Sequence, residues 1–239
     1  MIQFYAPDIL STGQLPESDS AHCCRVLRMK EGDEVFVVDG KGKRYRCVIV
    51  SAHPKHTAVE IKDEESLPSH WGFHLTLAVA PTKNSDRMEW LMEKIVEIGV
   101  DRVVLLKCER SERKVMKTER LERVMVSAMK QSLKGVLPEL TEVTTFKAFV
   151  ESEGCSEAFK CFGYCSESYP KRGFASNCPP SGDVVIMIGP EGDFSPAEVE
   201  QAVKAGFMPV TFGESRLRTE TAALYGVAAA HVVHSLGKD

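Results

Sequence analysis

The chain has 239 residues, enough for one large domain or for a small domain followed by a medium one. Hydrophobic residues make up 43% and charged residues 27%, the balance of a soluble globular protein, and no apolar run approaches membrane-spanning length. The net charge of −4 does not advertise a nucleic-acid binder, so any surface for one must be local.

The N-terminus, MIQFYAPDIL, lacks the basic start and long apolar core of a signal peptide, which points to a cytoplasmic protein. Up to about residue 70 the chain consists of short alternating stretches. Asp33–Asp39, Arg44–Val50 and Thr57–Ile61 read as strands, with a glycine turn at 39–43 between the first two. Ser20–Val26 reads as a short helix or turn. The whole is the pattern of a small β-barrel. Its cations, Arg25, Arg28 and Lys30, then Lys41, Lys43, Arg44 and Arg46, suit phosphate neutralisation. Acidic neighbours at Glu31, Asp33 and Glu34 fit a solvated strand face equally well. Asp63–Trp71 is charged and then Pro-Ser, the composition of a linker.

An apolar strand, Phe73–Ala80, follows. Asp86 is the expected N-cap of the next helix, with Glu89 three residues on and Met88, Leu91, Met92 and Ile95 on one face. Gly99 ends that helix and Arg102–Leu106 is the next strand, so the order β-α-β predicts a parallel sheet. Lys83, in the loop between strand and helix, fits a phosphate contact and plain solvation alike. Residues 107–134 carry nine Lys or Arg against four Glu. Within them, Glu109–Lys114 is loop-like. Lys117–Ser132 reads as a helix whose Leu121, Val124, Met125, Ala128 and Met129 face a core. The loop cations Arg110, Arg113 and Lys114 are hard to explain by local pairing. Thr144–Ser152 reads as a short helix, Lys160–Cys165 as a strand and Glu167–Asp183 as a polar loop. The eight cysteines, at 23, 24, 47, 108, 155, 161, 165 and 178, form no C-x-x-C pair and no zinc module, and are expected to be reduced thiols without a metal role.

The stretch Val184–Ala223 organises the rest. Val184–Ile188 reads as a buried strand. It breaks at Gly189-Pro190-Glu191-Gly192-Asp193-Phe194, and Ser195 with Glu198 forms a capping box around Pro196. That helix ends near Gly206. A short strand, Val210–Phe212, leads through Gly213 and Leu217-Arg218-Thr219-Glu220-Thr221 into a final Ala-rich helix to Leu236. Two glycine loops therefore follow strands and precede helices, and such loops gather at the carboxyl ends of an α/β sheet, where ligands bind. Without Cβ atoms they let backbone groups approach a flat ring. The pattern is neither G-x-G-x-x-G nor a phosphate loop, which disfavours a nucleotide hydrolase. In the last helix Ala222, Ala223, Gly226 and Ala228–Ala230 fit a buried position or a dimer seam. His231 and His234 have no visible third metal ligand, so a packed or solvated pair is expected.

Ile188–Ser195 (IGPEGDFS) followed by Phe212–Leu224 (FGESRLRTETAAL) resembles the RsmE family of 16S rRNA methyltransferases, in the SPOUT superfamily. Arg25–Met29, Met88–Gly99, Glu109-Arg110-Ser111 and Gln131-Ser132 match it too, so the resemblance covers nearly the whole chain. It implies S-adenosylmethionine-dependent methylation of N3 of a uridine in the RNA of the small ribosomal subunit. It implies an α/β fold: a SPOUT-type parallel sheet with a C-terminal trefoil knot over residues 71–239, and a PUA-like β-barrel that holds RNA over residues 1–70. It also implies a homodimer. Chain-connection rules argue against knots by default, so the knot rests on resemblance alone.

By the same resemblance Ile188, Gly189, Pro190, Glu191, Gly192, Phe212, Gly213, Leu217, Arg218, Thr219, Thr221 and Ala222 form the cofactor cage. The family match favours RNA contact for the N-terminal cations Arg25, Arg28, Lys43 and Arg44; the charge and loop position of Lys83, Arg110, Arg113, Lys114 and Lys134 make them the further RNA candidates. Two departures stand out. Leu133-Lys134 replaces the Gly-Arg of many relatives, keeping the charge without the planar fork. Asp193 replaces a usual glycine and adds a negative charge beside the cofactor. Uridine N3 is a protonated imide that becomes nucleophilic on losing its proton, and a cation near its carbonyls would stabilise the anion. Arg218 is the first candidate and Arg28 the second, with Glu220 as base or as the group that orients Arg218. A structural ion pair is the plain alternative for Arg218 and Glu220. The competing function is a non-catalytic RNA-binding factor in ribosome assembly, which intact glycine loops argue against.

Overall fold

The computed structural model describes residues 2–154, 156–167 and 169–237; the expectation for Cys155 lies outside them. The chain divides into two compact units. One comprises Met1–His70 with Val126–Leu137, and the other Trp71–Met125 with Pro138–Asp239.

In the first unit, strand β1 (Gln3–Tyr5) is followed by two short helices, α1 (Ile9–Thr12) and α2 (Glu17–Ala21), and by a π-helical turn at His22–Val26. Strands β2 (Glu34–Val38), β3 (Lys43–Ser51) and β4 (Ala58–Ser66) complete a sheet in the order β1-β2-β3-β4. β1 pairs parallel with β2, and the other pairs are antiparallel. Alternate residues Val35, Val37, Tyr45, Cys47, Ile49 and Val59 turn inward onto Phe4, Ile9, Leu15 and Cys23. β4 runs through Asp63–Glu65, which composition marks as linker. The reason is its register: Asp63 lies opposite Arg46 and Glu65 opposite Arg44, and opposite charges across a ladder keep a polar segment in the sheet. From the segment 126–137, Lys130 reaches Asp19 at 2.7 Å, and the same carboxylate accepts the Tyr5 N–H at 2.9 Å.

The second unit contains, in chain order, β5 (Leu75–Val79), α3 (Ser85–Ile98), β6 (Arg102–Lys107), α4 (Thr118–Gln131), β7 (Glu139–Thr145), α5 (Phe146–Glu153), β8 (Phe159–Gly163), β9 (Arg172–Gly173), α6 (Phe174–Asn177), β10 (Val184–Ile188), α7 (Pro196–Lys204), β11 (Met208–Thr211) and α8 (Thr219–Leu236). From Val126 onward α4 counts with the first unit. The seven strands form one sheet in the order β7-β6-β5-β10-β8-β11-β9, and every pairing is parallel. β5 and β10 are buried at every position, which is why both read as unbroken apolar runs.

Four local features differ from expectation. β7 (ELTEVTT) lies at the sheet edge and is half exposed, so its apolar signal is weak. The helix after it starts at Phe146, capped by Thr145. β9 and α6, two and four residues long, lie inside the expected polar loop and are too short to show a period. Helix α3 is capped by Asn84, whose Oδ1 accepts the Asp86 N–H at 2.9 Å, which places Asp86 in the first turn.

The capping box of α7 forms as read. Ser195 Oγ accepts the Glu198 N–H at 3.4 Å and Glu198 accepts the Ser195 N–H at 2.9 Å. Just before it, Phe194 drops into the core, 2% exposed and edge-on to Phe162. Burying a phenyl ring contributes about 1.5–3 kcal/mol, and here it anchors the loop after β10.

A cleft at the carboxyl ends of the strands

The loops after β8, β10 and β11 converge at the carboxyl end of the sheet and enclose a cleft of about 740 Å³. Ile188, Gly189, Pro190, Glu191 and Asp193 line it from the β10 loop. Phe212, Gly213, Leu217, Arg218, Thr219 and Ala222 line it from β11 and the start of α8. The β8 loop adds Gly163 to Glu167 and Lys171, and α3 adds Arg87. Sequence reasoning missed both of these contributions, since the β8 loop is polar and carries no glycine string.

Backbone crowding fixes the shape. A Cβ at Gly163 would stand 2.9 Å from the Phe212 ring and 3.1 Å from Ile188. Gly213 has open space around it, but its φ of 124° would strain any other residue. The Thr219 hydroxyl donates to the Gly189 carbonyl at 3.1 Å and ties the start of α8 to the β10 loop.

Asp193 has a φ of 59°, the left-handed region where glycine is unstrained. Its N–H closes a turn onto the Pro190 carbonyl at 2.9 Å. Its carboxylate accepts the Phe194 N–H at 2.9 Å and, from the β8 loop, the Cys165 N–H at 3.1 Å. The side chain thus bridges two walls of the cleft. Burial, then the Asp193 charge, push the Cys165 thiol up, against a downward pull from Arg216 and Lys171. Leu133, the other departure from the resemblance, is also left-handed, with a φ of 57°.

Of the cofactor candidates, Gly192 and Thr221 stand outside the cleft lining. The Gly192 carbonyl accepts from Arg110 at 3.1 Å, and Thr221 lines an adjoining hollow with Asp86, Arg87, Trp90, Arg218 and Glu220. Arg218 is exposed at the N-cap position of α8 and borders both spaces. Glu220 is buried, and its ion pair is with Arg87 Nε at 3.6 Å. Arg28 is in the first unit, exposed, with a φ of 55°.

Most of the candidate RNA cations have partners within the protein. Lys43 pairs with Glu64 at 3.2 Å, and Arg44 pairs with Glu65 while lying over the Phe36 ring. Lys83 pairs with Glu112 at 3.2 Å. Arg110 holds the Gly192 and Phe194 carbonyls, and Arg113 holds the Lys83 carbonyl at 2.7 Å. Two of the three loop cations therefore have distant backbone partners that local pairing could not show. Arg25 and Lys114 are exposed, and the Lys134 carbonyl accepts from Gln3 at 2.9 Å. His231 lies 2.8 Å from the Gly99 carbonyl, and His234 stacks on Phe73 between the Ala230 and Gly182 carbonyls. Among the described residues no group of His, Cys, Asp or Glu is arranged to hold a metal ion, and no helix is long and apolar enough to cross a membrane.

An all-parallel sheet whose glycine loops form a ligand cleft at the strand ends defines an α/β protein built to bind a small molecule there. Residues 69–231 match the family of RNA methyltransferase domains, and residues 15–62 match the RNA methyltransferase PUA domain. The chain belongs to the RNA methyltransferase family. It is similar to a probable rRNA-methyltransferase from Porphyromonas gingivalis, at 45% identity over 99% of both chains with a TM-score of 0.92. It is also similar to a ribosomal RNA small subunit methyltransferase E from Neisseria gonorrhoeae solved bound to S-adenosyl methionine, at 29% identity over 97% of both chains with a TM-score of 0.84. A protein of that same name from Synechocystis sp. is 31% identical, over 85% of this chain and 67% of its own length. The first unit is accordingly a small PUA-like domain.

Proposed function

We propose that the protein methylates N3 of one uridine in the 16S RNA of the small ribosomal subunit, with S-adenosylmethionine as methyl donor. The observation that carries the reading is the glycine-lined cleft at the strand ends, in a chain whose 29%-identical structural relative was solved with that cofactor. Its residues fit the group. Ile188, Phe212 and Leu217 give apolar contact, and the Gly189–Glu191 and Phe212–Gly213 backbone offers hydrogen-bonding edges with little side chain in the way. When bound, the cofactor supplies a methyl group on a sulfonium sulfur that needs little activation.

The protein's own work is therefore position and charge. The cage residues that line the cleft hold the donor, and Gly192 and Thr221 support it from behind. Arg218 stabilises the negative charge that develops on the uracil carbonyls, Glu220 receives the N3 proton, and Arg28 is the second candidate cation. N3 gives up that proton and bonds to the methyl carbon as the methyl–sulfur bond breaks, and the electron pair stays on sulfur. Residues 1–70 form the RNA-holding domain, through Arg25, Arg28, Lys43 and Arg44, and residues 71–239 the methyltransferase domain. Lys83, Arg110, Arg113, Lys114 and Lys134 complete the RNA contacts. Arg110 and Arg113 already hold loop backbone, so Lys114 is the freest of the five to reach a phosphate. The C-terminal trefoil knot, the homodimer and the cytoplasmic location belong to the same reading.

The test incubates purified protein and labelled S-adenosylmethionine with unmethylated small subunits, followed by nucleoside mass spectrometry. Label in 3-methyluridine is the expected result. Absence of both label and cofactor binding would favour a non-catalytic assembly factor.

A further inference from the structure

We infer that the hollow beside the cleft seats the acceptor base, one uracil ring turned out of its strand, and that Trp90 is the surface on which it stacks. The inference rests on the function proposed above.

The hollow measures about 370 Å³ and lies between the first turns of α3 and α8. Arg87 and Arg218 border both it and the larger cleft, so the two spaces share a wall. An acceptor seated here is therefore next to the donor's site.

Its walls match uracil in particular. Trp90 is 43% exposed, whereas Met88, Leu91, Met92 and Ile95 of the same helix are fully buried. Part of that indole is therefore left uncovered, and an exposed aromatic face is a stacking platform for a base. Glu220 is 93% buried, and the guanidinium beside it is 3.6 Å away, beyond hydrogen-bond reach. Its carboxylate therefore keeps acceptor capacity in a place where water is scarce. Asp86, Arg87, Arg218 and Thr221 line the same hollow, and among these groups the two guanidiniums with the Glu220 carboxylate supply a donor, acceptor, donor set. The uracil edge at O2, N3–H and O4 reads acceptor, donor, acceptor, which is the complement. Cytosine has no proton at N3 and carries an amine at C4, so it would leave the carboxylate unpaired and set a donor against an arginine. Sites built on such a pattern discriminate strongly. The same contacts serve the chemistry: Glu220 takes the N3 proton, and the charge developing on O2 and O4 meets the two guanidinium groups. Arg87, which no spacing rule singled out, becomes a substrate contact.

The test compares wild type with Trp90→Ala, Trp90→Phe and Glu220→Gln. Cofactor binding is measured by calorimetry, single-turnover methyl transfer to unmethylated small subunits by mass spectrometry, and assembly state by sedimentation. All four proteins should bind S-adenosylmethionine within about twofold. Trp90→Ala should slow transfer tenfold or more, consistent with the loss of one stacked base, and Trp90→Phe should recover most of the rate. Glu220→Gln should slow it by about a hundredfold or more, as loss of a general base does. Wild-type transfer by Trp90→Ala, or parallel loss of cofactor binding, would overturn the inference. So would dissociation of Trp90→Ala into a smaller species, since the indole would then belong to a seam between copies. If wild type itself makes no 3-methyluridine, the proposed function fails and the inference with it. That outcome is read from wild type alone and so is distinct from the rest.

Discussion

Replacing Asp193 by glycine restores the residue that the resemblance leads one to expect, yet it should weaken this protein. Two effects oppose each other. Glycine relieves a left-handed residue with a φ of 59°, a gain of about 1 kcal/mol, since aspartate tolerates that region better than most residues. Glycine also adds freedom to the unfolded chain, which returns roughly 0.5–1 kcal/mol of that gain. What remains is the carboxylate and its bonds to the Phe194 and Cys165 N–H groups, at 2.9 and 3.1 Å. Hydrogen bonds to a charged group contribute about 1.5–3 kcal/mol each, and the half-buried setting places these toward the lower end or below it. The net loss is about 2 kcal/mol, or a fall in Tm of roughly 4–8 °C for a chain of this size. Thermal unfolding measures the total, and amide hydrogen exchange at Cys165 isolates the bridge. Asp193→Asn, which keeps an acceptor oxygen, should lose about half as much. A glycine variant that melts at or above wild type, or a Cys165 amide whose exchange does not quicken, would refute the argument.

Leu133→Gly should have the opposite sign. Leu133 shares the left-handed backbone at φ 57° but is 41% exposed, so glycine should raise Tm by about 2 °C, read in the same melt. Gly163→Ala drives a methyl group to 2.9 Å from Phe212, and calorimetry should show cofactor affinity falling by about tenfold or more with the fold retained. Burial pushes the thiols of Cys23, Cys47 and Cys178 up from an ordinary 9.0 to about 11, with the neighbouring Cys24 adding to the effect at Cys23. The folded chain therefore holds protons that the unfolded chain releases, so stability is intact below about pH 9 and declines as pH rises from 9 toward 11; urea midpoints at pH 8 and 10.5 test this. Cys165 is the exposed cysteine among the described residues and lines the cleft, so limiting alkylation at pH 8.5 should map to it and S-adenosylmethionine should protect it.

What sequence shows well is local. Val184–Ile188 is apolar because both faces of a central parallel strand are covered, and Ser195, Pro196 and Glu198 lie within four residues of one another, so that strand and the cap after it are readable where they stand. The elements that escaped, β1, α1, β7, β9 and α6, are short or lie at an edge, where half-exposure removes the apolar period. The acidic end of β4 escaped for another reason. Asp63–Glu65 is strand because Arg44 and Arg46 lie across from it, and a partner strand cannot be seen in the strand's own composition.

The site divides along the same line. Its glycine loops announce themselves because a missing Cβ or a positive φ is a property of one residue. Its charged groups do not, because each is defined by what it meets. Arg110 stands among neighbouring cations in sequence, while its guanidinium meets the Gly192 and Phe194 carbonyls, more than eighty residues away. Glu220 stands two residues from Arg218 in sequence, but the cation it meets is Arg87, from a helix 133 residues earlier. Both arrangements arise because a parallel sheet needs a crossover between neighbouring strands, which brings distant loops to one edge. In such a fold the backbone part of a site is written locally, while its electrostatics are written across the topology. The hollow bounded by Arg87, Glu220 and Arg218 is a direct product of the second kind, since it exists only where the first turn of α3 comes to lie against the first turn of α8.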